Sequence, residues 1–144
     1  MITDIAILYA FCSKLREKFP SKDYKIIADA CSADIKKPTF FVDVTPLDSD
    51  TYRRYSKELF NVTIEYVEER DLSQEDKLSM KTILNNLFTM GIKVEKTFVV
   101  FQKKIWSTKN VFSLCLTFDF FNRNEEVWPE DYYTKLMQKL DIQI

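Results

Sequence analysis

Histidine is absent from the sequence, and glycine occurs once, at Gly91. Without imidazole there is no histidine acid or base, no Ser-His-Asp or Cys-His nucleophile pair, and no zinc site that uses a histidine ligand. A single glycine excludes both G-x-G-x-x-G and the P-loop, because each needs several positions where backbone meets phosphate with no side chain in the way. Cysteine is scarce as well. Cys12, Cys31 and Cys115 are odd in number, far apart and free of any C-x-x-C pair. That argues against a disulfide framework or a thiolate metal cluster, and for small buried side chains in a reducing, cytosolic setting. No basic segment leads into an apolar run at the N-terminus, and no apolar stretch approaches the roughly 18 residues of a membrane span, so neither signal-directed export nor a membrane partner is expected. Charge favours neither sign: 21 Lys and Arg face 22 Asp and Glu, a net of −1. The global basic signature of a nucleic-acid binder is missing, and any charged partner must meet a local patch.

What the sequence does hold is core-forming material, 46% apolar and 15% aromatic over 144 residues. That suits one domain covering 1–144, large enough to bury roughly 68–70% of its unfolded surface without disulfide or metal. Ile5, Leu8, Tyr9, Cys12, Leu15 and Phe19 recur at helical spacing, and Pro20 stops the helix. Short strands are expected over Tyr24–Cys31 and Thr39–Leu47, with a loop at Asp34–Pro38 between them. A long strand runs over Tyr55–Val67, where Phe60, Val62, Ile64 and Tyr66 alternate with polar residues. Ser73 with Glu75 and Asp76 reads as a helix start, Met80, Ile83, Leu84, Leu87 and Phe88 as its buried face, and Gly91 as its left-handed end. A hairpin follows, Val94–Ile105 and Val111–Phe121 joined through Trp106–Asn110, and Pro129 opens a closing helix. The order is α-β-β-β-α-β-β-α. It predicts an α+β fold with an antiparallel or mixed sheet of about five strands and helices on one face.

Candidate chemistry is thin. Glu68-Glu69-Arg70-Asp71, Glu75-Asp76, Glu125-Glu126 and Glu130-Asp131 are acid clusters without a D-x-D-x-D-G loop, and solvated strand ends and helix starts account for them. Lys103-Lys104-Ile105-Trp106-Ser107-Thr108-Lys109 mixes cations with an aromatic ring, a combination shared by single-strand binders, protein interfaces and guarded hairpin tips. Residues 65–76 are acidic and 93–109 basic, so the neutral chain is locally polarised. If the two patches sit on different faces, one copy's acidic segment meets the next copy's basic hairpin head-to-tail, and such contacts close into rings. The expected subunit-interface residues are Glu68, Glu69, Asp71, Lys103, Lys104, Trp106 and Lys109. No catalytic residue, metal or cofactor is expected.

Several strings carry a family likeness. Lys18-Phe19-Pro20, Lys37-Pro38-Thr39-Phe40-Phe41-Val42, the strand from Tyr55 to Tyr66, Phe118-Asp119-Phe120-Phe121 and Asp131-Tyr132-Tyr133, in this order of elements, resemble the phage tail terminators of Gram-positive phages, prophages and tail-like particles. The resemblance spans nearly the whole chain, through structural strings with no catalytic motif. It implies a virion or tail-like-particle subunit, assembled in the host cytoplasm, that caps the tail tube as a ring, six copies on the family's pattern. Its partners would be itself, the tail tube protein and the sheath or head connector, with DNA only as passing cargo. Tyr52, Arg53, Arg54, Trp128, Tyr132 and Tyr133 would then contact tube or sheath, since Tyr, Trp and Arg dominate binding hot spots. Glu65 and Glu68 would line a lumen through which phosphates slide without sticking. Another neck protein, such as a tail-completion factor, and a small carboxylate enzyme are the alternatives. Reversing Lys103 and Lys104 to Glu is expected to weaken self-association at low salt, read as a fall in mass by light scattering.

Overall fold

The computed structural model describes residues 2–28, 37–109 and 111–123. Its elements are α1 (Asp4–Lys18), β1 (Lys25–Ile27), β2 (Thr39–Thr51), β3 (Tyr55–Val67), α2 (Gln74–Leu87), β4 (Gly91–Val94), β5 (Thr97–Ser107) and β6 (Phe112–Arg123). One six-stranded sheet runs in the order β1-β2-β3-β6-β5-β4. Only β1–β2 is parallel, so the sheet is mixed, and it has one strand more than the sequence suggests. The expected helix after Pro129 lies outside the described residues, as does most of the loop before Pro38.

Alternation along the strands builds the core. Phe60, Val62, Ile64 and Tyr66 of β3 stand opposite Phe118, Leu116, Leu114 and Phe112 of β6, all on one face and all nearly inaccessible. Phe40 and Val42 of β2 extend that face. Both helices cover it: the Phe11 ring of α1 lies 5.5 Å from Phe88, which caps α2, and 6.0 Å from Phe118.

The buried row of α1 is Ile7, Phe11 and Leu15, continued by Phe19. Ile5 and Tyr9, expected inside, are 61% and 67% exposed. Residues two apart on a helix point about 200° from each other, so Ile5 and Ile7 cannot both face the sheet, and the row containing Phe11 wins. Thr3 caps the start, its hydroxyl accepting from the Ala6 amide at 3.1 Å. The Ser73 cap of α2 is present as expected, accepting from the Asp76 amide at 3.2 Å. Ahead of α1, the Ile2 amide donates to Asn122 Oδ1 at 2.8 Å while Asn122 Nδ2 donates to the Ile2 carbonyl at 2.9 Å, pinning the first described residue to the end of β6.

Gly91 does not end α2. The helix closes at Phe88, whose amide donates to the Leu84 carbonyl, and Gly91 opens the extra strand β4 without a positive φ. Its lack of a side chain serves close approach instead: a Cβ there would sit 2.1 Å from the Val99 carbonyl oxygen on β5. Among the described residues the left-handed one is Glu95, φ 56°, in the turn between β4 and β5. Gly91→Ala should lower the free energy of unfolding by roughly 2–3 kcal/mol, because backbone rather than a flexible side chain must give way; the urea midpoint checks this.

Candidate interaction surfaces

The expected basic segment divides: its Lys109 end lies with the acidic residues on one end of the molecule, while Lys93 stands on the β4 edge. Pairing of Tyr66 with Phe112 puts the β5–β6 turn beside the end of β3, and Lys77 Nζ donates to the carbonyls of Thr108 and Lys109 at 2.8 and 3.4 Å. Glu68, Glu69, Asp71, the start of α2 and Lys109 therefore share one end of the molecule. Two of the acids there, Glu68 and Asp76, are already engaged. Glu68 accepts from the buried Tyr66 hydroxyl and from Arg70 Nε at 3.0 Å, and Arg70 reaches Asp76 at 3.4 Å. Burial, and then the Glu68 carboxylate, push the Tyr66 phenol well above its usual range, so it stays a donor.

The basic run also splits. A bulge between Phe101 and Lys103 resets the alternation of β5, so Phe101 faces the core, Lys103 stands on the outer face opposite Thr117, and Lys104 turns back over the core face opposite Leu116. Lys104 Nζ donates to Asn85 Oδ1 at 3.1 Å and to the Thr89 carbonyl at 2.9 Å, at the negative end of α2, and partial burial holds its pKa below the ordinary lysine value. Trp106 is no hairpin tip. It packs half-buried, 5.9 Å from Phe112, under Lys81 Nζ at 5.7 Å. Of the seven expected interface residues, Glu69, Asp71, Lys103 and Lys109 are exposed.

The other end of the sheet carries a built aromatic surface. The β2–β3 turn is closed by the Tyr52 amide donating to the Tyr55 carbonyl at 2.8 Å. Tyr52 stacks on Tyr55 at 4.8 Å, and Tyr55 meets Phe121 of β6 edge-on at 5.6 Å. Lys57 Nζ lies 5.9 Å over the Phe121 ring and 3.4 Å from Asp119. Phe121 is 61% exposed although it sits on a strand. Arg53 and Arg54 occupy the turn itself and are exposed. Of this cluster the sequence singles out Tyr52, Arg53 and Arg54 and not Tyr55 or Phe121; the available signal was that both are aromatic at the parity where β3 and β6 carry mostly polar side chains. Trp128, Tyr132 and Tyr133 lie outside the described residues. Glu65 is half-buried on the outer sheet face opposite Ser113, while Glu68 is bound up with Tyr66 and Arg70.

Nothing among the described residues gathers three or more His, Cys, Asp or Glu that could hold a metal ion. No described helix is long and apolar enough to cross a membrane. Burial raises the Cys12 thiol, the opposite of an activated nucleophile. A groove of about 530 Å³ between the start of α1 and the β2–β3 hairpin has Glu58 on its wall, but that carboxylate already accepts from the Ser49 and Ser56 hydroxyls at 3.0 and 2.9 Å.

A family model described as phage tail terminator protein matches residues 6–130, from the first turns of α1 through all six strands. The chain belongs to the phage tail terminator family. A tail terminator is a structural component of the phage tail, which accords with surfaces built for contact. No curated protein matches this terminator's sequence. One solved structure aligns with 85% of the chain and 96% of its own, at 12% identity and a TM-score of 0.44.

The split between the two lysines is testable in this terminator. Lys104→Ala should cost about 1 kcal/mol of folding stability through the lost cap on α2, whereas Lys103→Ala should stay within about 0.5 kcal/mol of the parent. Paired chemical denaturation curves measure both.

Proposed function

We propose that this terminator closes the end of the tail tube as a ring of identical subunits, six being the number its family resemblance implies, and thereby stops tube polymerisation. The ring then offers a surface to the head connector or, in a contractile tail, to the sheath. The observation that carries this reading, beside family membership, is the exposed cluster of Tyr52, Tyr55 and Phe121 at the β2–β3 tip, with Arg53 and Arg54 in the same turn. Three rings held against one another and left in solvent are a preformed contact surface, and Tyr and Arg are the residue types that dominate binding hot spots.

Tube docking and ring closure each need an interface of about 1,200–2,000 Å² to be stable. The aromatic tip is the tube or sheath contact in this reading, and the outer sheet face with Glu65 is the wall past which DNA travels, its carboxylates keeping phosphate from adhering. The work is done by shape and contact, without covalent chemistry, and assembly takes place in the host cytoplasm before the tail joins its head.

Electron microscopy of particles produced without this protein should show over-long, ragged tubes; tubes of normal length would contradict termination. Complementation with Tyr52→Ala plus Phe121→Ala should leave the subunit folded, with an unchanged melting temperature within a few degrees, yet fail to restore tube length.

A further inference from the structure

We propose that the two open edges of the sheet are complementary halves of one self-contact, in which the β2 side of one copy seats against the β4–β5 side of the next. This deepens the ring reading given above and rests on it. Among the described residues the order β1-β2-β3-β6-β5-β4 leaves two edges, and β1 pairs only with Thr39–Phe41, so the rest of β2 out to Thr51 is edge strand there. The opposite edge is β4, four residues long.

The two edges carry opposite charge around apolar centres. From Thr39 to Thr51 the chain holds Asp43, Asp48 and Asp50 and no lysine or arginine. Leu47 among them is 49% exposed, and Ile5, in the first turn of α1 next to Asp4, borders the same groove as Pro46. Across the molecule, β4 and its turn bring Lys93 and Lys96 against Glu95 alone. Beside them Phe98, which pairs with Lys93, and Val100, which pairs with Gly91, are 58% and 53% exposed, and neighbouring Met90 is 67% exposed. Single exposed apolar residues mean little, but three in one place, rimmed by cations, form a patch.

The geometry also fixes how the halves would meet. Asp48 and Asp50 pair with Leu59 and Lys57, which places them on the outer sheet face, and Lys93, Phe98 and Val100 stand away from the core-facing Ile92, Val94 and Val99. Setting β4 of one copy beside β2 of the next therefore brings lysines against aspartates on a shared outer face, the arrangement favoured between neighbouring strands. Pro46 and the bulge between Pro46 and Asp48 interrupt the β2 ladder and protect it from indiscriminate strand addition. An acidic edge so guarded accepts a cationic partner edge and repels a copy of itself, which makes the contact head-to-tail. It is also separate from the Glu68, Asp71 and Lys109 end, where opposite charges already lie together in one subunit.

The test is a charge swap in the full chain, followed by light scattering and sedimentation at low salt. Lys93→Glu with Lys96→Glu should weaken self-association roughly tenfold or more, and so should Asp48→Lys with Asp50→Lys. A one-to-one mixture of the two variants should regain the mass of the parent assembly, because each restores the opposite charge the other lost. All substituted positions are exposed, and circular dichroism melts establish that every variant is folded. If the parent assembles and the variants assemble equally well, or if the folded variants fail to recover on mixing, this interface is wrong while the ring reading stands. A parent chain that never exceeds 17.1 kDa at any concentration removes the self-assembly reading and this contact with it.

Discussion

The Phe11 ring is the point on which the fold closes. It lies within 5.5–6.0 Å of Phe88 after α2, Phe101 on β5 and Phe118 on β6, so one side chain from the first helix joins elements as distant as the last described strand. Burying such a ring is worth about 1.5–3 kcal/mol, and each aromatic neighbour adds to that through its preferred geometry. Around it the core is continuous: Phe19, Phe40 and Tyr66 pack in series at 4.5 and 4.8 Å on one side, Phe60, Phe118 and Phe120 on the other. With the inner face committed in this way, what the described residues leave to partners is the exposed positions of the outer face and the sheet edges.

Where the backbone is regular, the residues alone told the structure. The alternation in β3 and β6 was readable because neither is bulged in its pairing with the other, and every second residue from Phe112 to Phe120 is buried. On β5 the same logic fails, since the irregularity between Phe101 and Lys103 reverses parity within one strand. Lys103 and Lys104 look like one basic run on paper, yet adjacent strand residues point to opposite faces, and one became a surface charge while the other capped α2. A bulge has no reliable single-sequence signature, so this could not have been anticipated.

Gly91 misled for a different reason. Glycine after a helix favours a left-handed terminus, but it equally allows two backbones to come close, and only the position of Val99 decides between the two uses. The aromatic tip was half legible on the same grounds. Tyr52, Arg53 and Arg54 declare themselves by being a turn between strands, whereas Tyr55 and Phe121 join them only through the pairing of Tyr55 with Arg123 and of Lys57 with Phe121. Those contacts link segments distant in sequence and need the register before they can be seen.

The amide clasp between Ile2 and Asn122 joins residues 120 positions apart. During translation, α1 emerges long before Phe88, Phe101 and Phe118 exist, so the cover over Phe11 is complete only once β6 has been synthesised. Topology of this kind delays folding until most of the chain is available, because distant ends must find each other before their contacts repay the lost freedom. A subunit interrupted before β6 would thus lack the strand that joins β3 to β5, and with it the continuous sheet that both helices cover.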